Sequence, residues 1–135
     1  AYKSIWTLFG CGGNRDKFKR NKMFKVAKKY SEKIFITSDN SRFENFNSIV
    51  KDILGEDRFD NLEVIKDRDS AIKIAIDTLP KNVPLLILGR GHEETLNLGQ
   101  NIINHSDISH LFIDGKNAGK IWNEIKHLHK IAVFA

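Results

Sequence analysis

The chain has 135 residues, 41% of them hydrophobic and 29% charged, with 22 basic residues against 17 acidic ones and a formal net charge of +5. That composition is that of a soluble globular domain with enough apolar residues for one core. It contains no stretch long enough to span a bilayer, and AYKSIW at the N-terminus has no signal-peptide pattern. The single cysteine, Cys11, excludes an internal disulfide framework and suits a reducing, cytoplasmic setting. The bare Ala1 ahead of a strand points to a domain cut from something longer.

The elements alternate. Residues 5–9 (IWTLF) are short, apolar and stopped by glycine, which predicts a buried strand. Met23, Phe24, Ala27 and Tyr30 recur at helical spacing and predict a helix over about 17–28. The lysines of KFKRNKMFKVAKKY are read as its solvated outer face in preference to a nucleic-acid patch, since no basic strand interleaved with aromatics accompanies them. Residues 33–37 form the next strand. Phe46, Ile49, Val50, Ile53 and Leu54 mark a second helix ended by Gly55. LEVI at 62–65 is a third strand. Ala71, Ile72, Ala75, Ile76 and Leu79 mark a third helix closed by Pro80, and VPLLIL at 83–88 is a fourth strand buried on both faces. Beyond Gly89 the pattern weakens. Residues 111–113 are read as a strand, 118–128 as a helix and 131–134 as an edge strand.

Such alternation predicts an α/β fold, a mostly parallel sheet with helices on both faces, in a single domain over 1–135. Every strand-to-helix loop then emerges at the carboxyl ends of the strands, where ligands bind in this architecture. GCGGNRD (10–16), SDNSR (38–42), KDRD (66–69) and GRGHEE (89–94) should share that rim.

The first loop is neither GxGxxG nor a phosphate loop ending in GK[ST], so it does not make a self-sufficient nucleotide site. Arg15 sits where a helix N-terminus already favours anions and could grip a carboxylate or phosphate with its fork. Asp39 and Asn40 fit an Asx-type turn as well as a ligand site, whereas Arg42 is not required by such a turn. Gly89 and Gly91 give backbone access beside His92 and Glu93. No histidine or carboxylate set has metal-ligand spacing, so no protein-built metal site is expected, and Cys11 is read as a small buried residue without a nucleophile's partner. The rim thus carries two guanidiniums, Arg15 and Arg42, and two carboxylates, Asp39 and Glu93. A purely anionic ligand would be repelled by the acids. A zwitterion would use both signs, which points to an amino acid or similar amphoteric molecule. The rivals are a free-standing module that binds an amphoteric or phosphorylated metabolite, and a nucleic-acid-binding domain resting on net charge alone.

Taken together, FGCGGNRDKFKR, SDNSR, DRDSAI and GRGHE resemble, in order and spacing, the C-terminal domain of the Mur ligases. Within that family they are most similar to the UDP-N-acetylmuramoyl-tripeptide synthetases (MurE). The family pattern is GCGG[DN]RDxxKR, DNPR, DRxxAI and G[KR]GHE, and the resemblance covers about residues 5–107. It implies a Rossmann-like domain that closes over the site of a three-domain enzyme and brings in the amino acid added third to the peptidoglycan stem peptide. It implies that Arg15, Asp39, Asn40, Ser41, Arg42, Gly89 and Glu93 hold a diamino acid such as diaminopimelate. Asn14 and Asp16 would meet the nucleotide when the domain closes. The resemblance also implies the partners: UDP-MurNAc-L-Ala-D-Glu, the enzyme's own N-terminal and central domains, and ATP with Mg²⁺ bound mainly by the central domain. No catalytic residue, nucleic acid or membrane is expected for this chain, and alone it should not turn over. Ser41 stands where the pattern has proline, GRGHEETLN lacks the expected aromatic continuation, and the match fades from Ile108 onward.

Overall fold

The computed structural model describes residues 5–13, 16–89, 95–100, 102–104 and 130–133. Seven strands and three helices lie within them: β1 (Trp6–Phe9), α1 (Phe18–Tyr30), β2 (Lys33–Ile36), α2 (Phe46–Leu54), β3 (Leu62–Val64), α3 (Arg68–Thr78), β4 (Pro84–Ile87), β5 (Thr95–Asn97), β6 (Ile102–Asn104) and β7 (Lys130–Val133). Five strands form one sheet in the order β3-β2-β1-β4-β7, and all four of its pairings are parallel. β5 and β6 form a separate antiparallel pair.

Strand alternation sorts the core into two layers. Trp6, Leu8, Phe35, Leu85 and Ile87 point to one face and meet Ala71, Ile72 and Ala75 of α3. Phe9, Ile34 and Ile36 point to the other and meet Phe24 of α1 with Ile49 and Ile53 of α2. Because side chains alternate with a period of two, a one-residue slip of β1 would exchange these sets. The expected strands and helices before residue 89 are all present. The edge strand read at 131–134 is β7, paired with β4 over Lys130–Val133.

Helix ends follow local chemistry. Asn45 caps α2, its carboxamide accepting from the Asn47 and Ser48 amides at 2.8 and 3.3 Å, and Gly55 takes φ 54° at the other end. Asp67 caps α3 by accepting from the Ser70 amide at 3.1 Å. This cap starts α3 at Arg68, three residues before its apolar stripe begins.

Two expectations for α1 need correction. Its apolar positions do not all face inward: Phe24 is fully buried, but Met23 and Tyr30 are 40% and 62% exposed. The basic run is not uniformly solvated either, because Arg20 is buried. Arg20 and Phe24 are four residues apart and share one helical face, so acids waiting beneath that face draw in a cation that the sequence pattern assigned to water. The strand and helix read at 111–113 and 118–128 lie outside the described residues.

Leu85 is fully buried in the α3 layer. Leu85→Ala should lower unfolding free energy by about 2–5 kcal/mol, the range for a large-to-small change in a packed core, as read by urea denaturation.

Candidate functional site

The first and second strand-to-helix loops are locked together. The Gly13 amide donates to the Asn40 carbonyl at 2.8 Å, and the Thr37 amide donates to the Phe9 carbonyl at 3.0 Å. A methyl group at Gly13 would overlap the Ser41 carbonyl, and one at Gly10 would overlap the Thr37 carbonyl oxygen. These two glycines are therefore required by close backbone approach.

Arg42 completes the lock. Its backbone sits at φ 53°, and its Nη1 donates to the Gly13 and Asn40 carbonyls, each at 3.0 Å. An Asx-type turn does not require this arginine, yet here it has a turn role, tying two loops through their carbonyls. Nη2 and Nε form the other edge of the fork. Asn40 does not cap its own turn. Its Oδ1 accepts from the Asn97 amide of β5 at 2.8 Å, while the Arg42 amide donates to the Asn97 carbonyl at 3.0 Å. The Asx alternative holds only in a local form, with Asp39 Oδ1 accepting from the Asn40 amide at 2.8 Å.

The fourth loop joins the same rim. Asp39 Oδ2 lies 2.9 Å from where a Cβ of Gly89 would be, and Gly89 takes φ 107°, so the carboxylate rests against backbone that only glycine presents comfortably. Around them is a cavity of about 340 Å³ lined by Gly10, Cys11, Gly12, Asp16, Lys19, Arg20, Met23, Asp39 and Gly89. Asp16, Asp39 and Gly89 are thus brought together, whereas Asn40, Ser41 and Arg42 form the adjoining turn. Asn14, Arg15 and Glu93 lie outside the described residues.

The cavity wall also holds residues that the charge argument missed. Arg20 makes a two-pronged pair with Glu44 at 3.0 Å, reaches Asp52 at 2.9 Å and donates to the Gly12 carbonyl at 3.0 Å. The Glu44 hydrogen bond, opposed by burial and helped by Asp52, raises the Arg20 pKa above its ordinary value. Since its charge is already matched, Arg20 is a strut for the first loop. Lys19 has no ion-pair partner among the described residues and also lines the cavity. The signal for both was the KR ending of the first motif. Among the described residues no three His, Cys, Asp or Glu groups stand close enough to hold a metal ion.

Residues 1–91 match the family described as Mur ligase, glutamate ligase domain. The chain belongs to the Mur ligase family. It is 43% identical over 104 residues to the UDP-N-acetylmuramoyl-L-alanyl-D-glutamate--2,6-diaminopimelate ligase of Blochmanniella floridana, an overlap covering 76% of this chain and 21% of that protein. The enzyme of the same name from Haemophilus influenzae (strain ATCC 51907 / DSM 11121 / KW20 / Rd) is 40% identical with the same coverage. The fold is similar to a solved structure of a ligase of that name, with a TM-score of 0.76, 27% identity, and coverage of 93% of this chain and 25% of that one. The chain spans about a fifth of the length of the curated relatives it matches.

Two outcomes are expected. Gly13→Ala should force the first two loops apart and expose the Asn40 region, read as accelerated amide exchange there with the sheet core unchanged. Cys11 is 8% exposed, and burial, partly offset by Arg20, pushes its thiol from 9.0 up to about 11. At pH 8 iodoacetamide should label it at least ~10-fold more slowly in the folded protein than in urea, because the thiolate is the nucleophile. As pH rises through 9 the unfolded chain loses this proton first, so the thiol's contribution to stability is full below pH 9 and lost towards 11.

Proposed function

We propose that this chain is the C-terminal, amino-acid-binding domain of an ATP-dependent amide ligase that adds diaminopimelate, or a similar diamino acid, as the third residue on UDP-MurNAc-L-Ala-D-Glu. The names of the relatives support the reaction. The observation that carries the reading is the meeting of Asp16, Asp39 and Gly89 around one cavity that Lys19 also lines, with Arg42 in the adjoining turn. A ligand held there must present both signs of charge, as an amino acid does.

In such a reaction an amine attacks the activated γ-carboxyl group of D-glutamate; an amide bond forms and phosphate leaves. This chain contributes orientation. Lys19 and the outer edge of the Arg42 fork take carboxylates, and Asp39 faces an ammonium group, with Arg15, Asn40, Ser41, Gly89 and Glu93 completing the shell. Fixing the amine beside its target removes translational and rotational freedom ahead of the chemical step, which is a large part of what an enzyme can offer. Asn14 and Asp16 are assigned to the nucleotide side of the closed site.

Among the described residues no three His, Cys, Asp or Glu groups gather, and magnesium characteristically takes one or two carboxylates together with substrate phosphates. ATP and its ion belong, in this reading, to the central domain of the parent enzyme. That domain, the N-terminal domain, the diamino acid and the UDP-sugar dipeptide are the proposed partners, in the cytoplasm. Among the described residues no helix is long and apolar enough to cross a membrane.

The test is ATP-dependent ligation by the full-length gene product, supplied with UDP-MurNAc-L-Ala-D-Glu and a panel of diamino acids. Turnover with a diamino acid is expected, and Arg42→Ala should weaken its binding at least ~10-fold, the scale of one lost charge-assisted contact, with a folded protein by circular dichroism. Turnover of an unrelated amino acid, and of no diamino acid, would overturn the assignment.

A further inference from the structure

The DRDSAI motif takes no part in the site described so far, yet it contains a fully buried arginine. Arg68 is the first residue of α3 and is 0% exposed. That is an unfavourable place for a cation: helix N-termini favour negative charge, and arginine is rarely buried without specific partners. Its side chain runs inward beneath the rim. Nη1 donates to the Ser38 carbonyl at 3.0 Å and Nη2 to the Leu88 carbonyl at 3.2 Å.

Those two carbonyls belong to the residues immediately before Asp39 and Gly89. β2 and β4 do not pair with each other, because β1 lies between them. No ladder hydrogen bond therefore sets the spacing of the loops that leave them. A planar guanidinium with donors at fixed angles can set it, and a lysine ammonium on a flexible stem cannot reproduce that geometry. The spacing is tight where it matters, with Asp39 Oδ2 only 2.9 Å from the Cβ position of Gly89.

We infer that Arg68 is a positioning residue for the amino-acid site: by bridging the Ser38 and Leu88 carbonyls it fixes Asp39 against Gly89 and so sets the affinity for the amphoteric ligand. The inference rests on the reading given under Proposed function and adds a residue that touches no ligand.

The experiment measures meso-diaminopimelate binding and ATP binding to the full-length gene product by calorimetry, for the wild type, Arg68→Lys, Arg68→Met, Arg42→Ala and Ile72→Val. Ile72 is buried in the α3 layer, so its variant reports the effect of lost stability alone. Arg68→Lys is expected to raise the Kd for diaminopimelate at least ~10-fold with ATP affinity within about twofold, a tenfold change being the scale of one net hydrogen bond to a charged group. Ile72→Val should leave both affinities within about twofold. If Arg42→Ala weakens binding and Arg68→Lys does not, the positioning role is wrong and the site assignment stands. The role is equally wrong if Arg68→Lys weakens ATP and diaminopimelate alike, or if neither Arg68 variant folds, since the arginine would then support the fold in general. A wild type that does not bind diaminopimelate, or an Arg42→Ala variant with full affinity, removes the site assignment and this inference with it.

Discussion

The rim depends on one close contact, that of the Gly13 backbone with the turn at 40–42. Parallel strands deliver their loops to a common edge, but the edge alone does not decide whether the loops touch. Here Gly13 lies so close to Ser41 that no side chain fits between them, its amide is bonded to Asn40, and its carbonyl is held by Arg42. Remove that approach and Asp39 loses its fixed relation to the first loop. The shape of the cavity follows from it.

Around this contact the fold places two buried arginines. Arg20 is matched by the carboxylates of Glu44 and Asp52, the usual way to keep a guanidinium out of water. Arg68 donates to the Ser38 and Leu88 carbonyls, just beyond the ends of β2 and β4. Neither lies on the outer, lysine-rich face of α1, and neither contributes to the exposed positive charge that the net +5 suggests. The charges along the cavity belong to other groups: Lys19, Asp16 and Asp39 line it beside Arg20.

Much of this was legible beforehand, and the reasons differ by element. β1, β2 and β4 announce themselves because strands buried on both faces read as unbroken apolar runs, and α2 because its stripe is bounded by Asn45 and Gly55. The order of the strands is not written in any single segment; the common rim followed from handed crossovers. β5 and β6 escaped notice because TLN and IIN are three residues long and half polar, too short for a period of two to register. Arg20 and Arg68 were misjudged or passed over for another reason. A periodicity argument assigns arginine to water, and only tertiary proximity to acids or carbonyls reverses that assignment. Arg42 was recognised as unusual, but its double grip on Gly13 and Asn40 depends on a left-handed backbone that no local pattern specifies.

The Asn40 carboxamide carries one more implication. Its oxygen is one of two points where β5 is moored to the rim: it accepts from the Asn97 amide, while the Asn97 carbonyl accepts from the Arg42 amide. A shift of the 40–42 turn is therefore carried into β5 through two bonds at one residue, Asn97, so that the short ribbon moves with the turn that holds it.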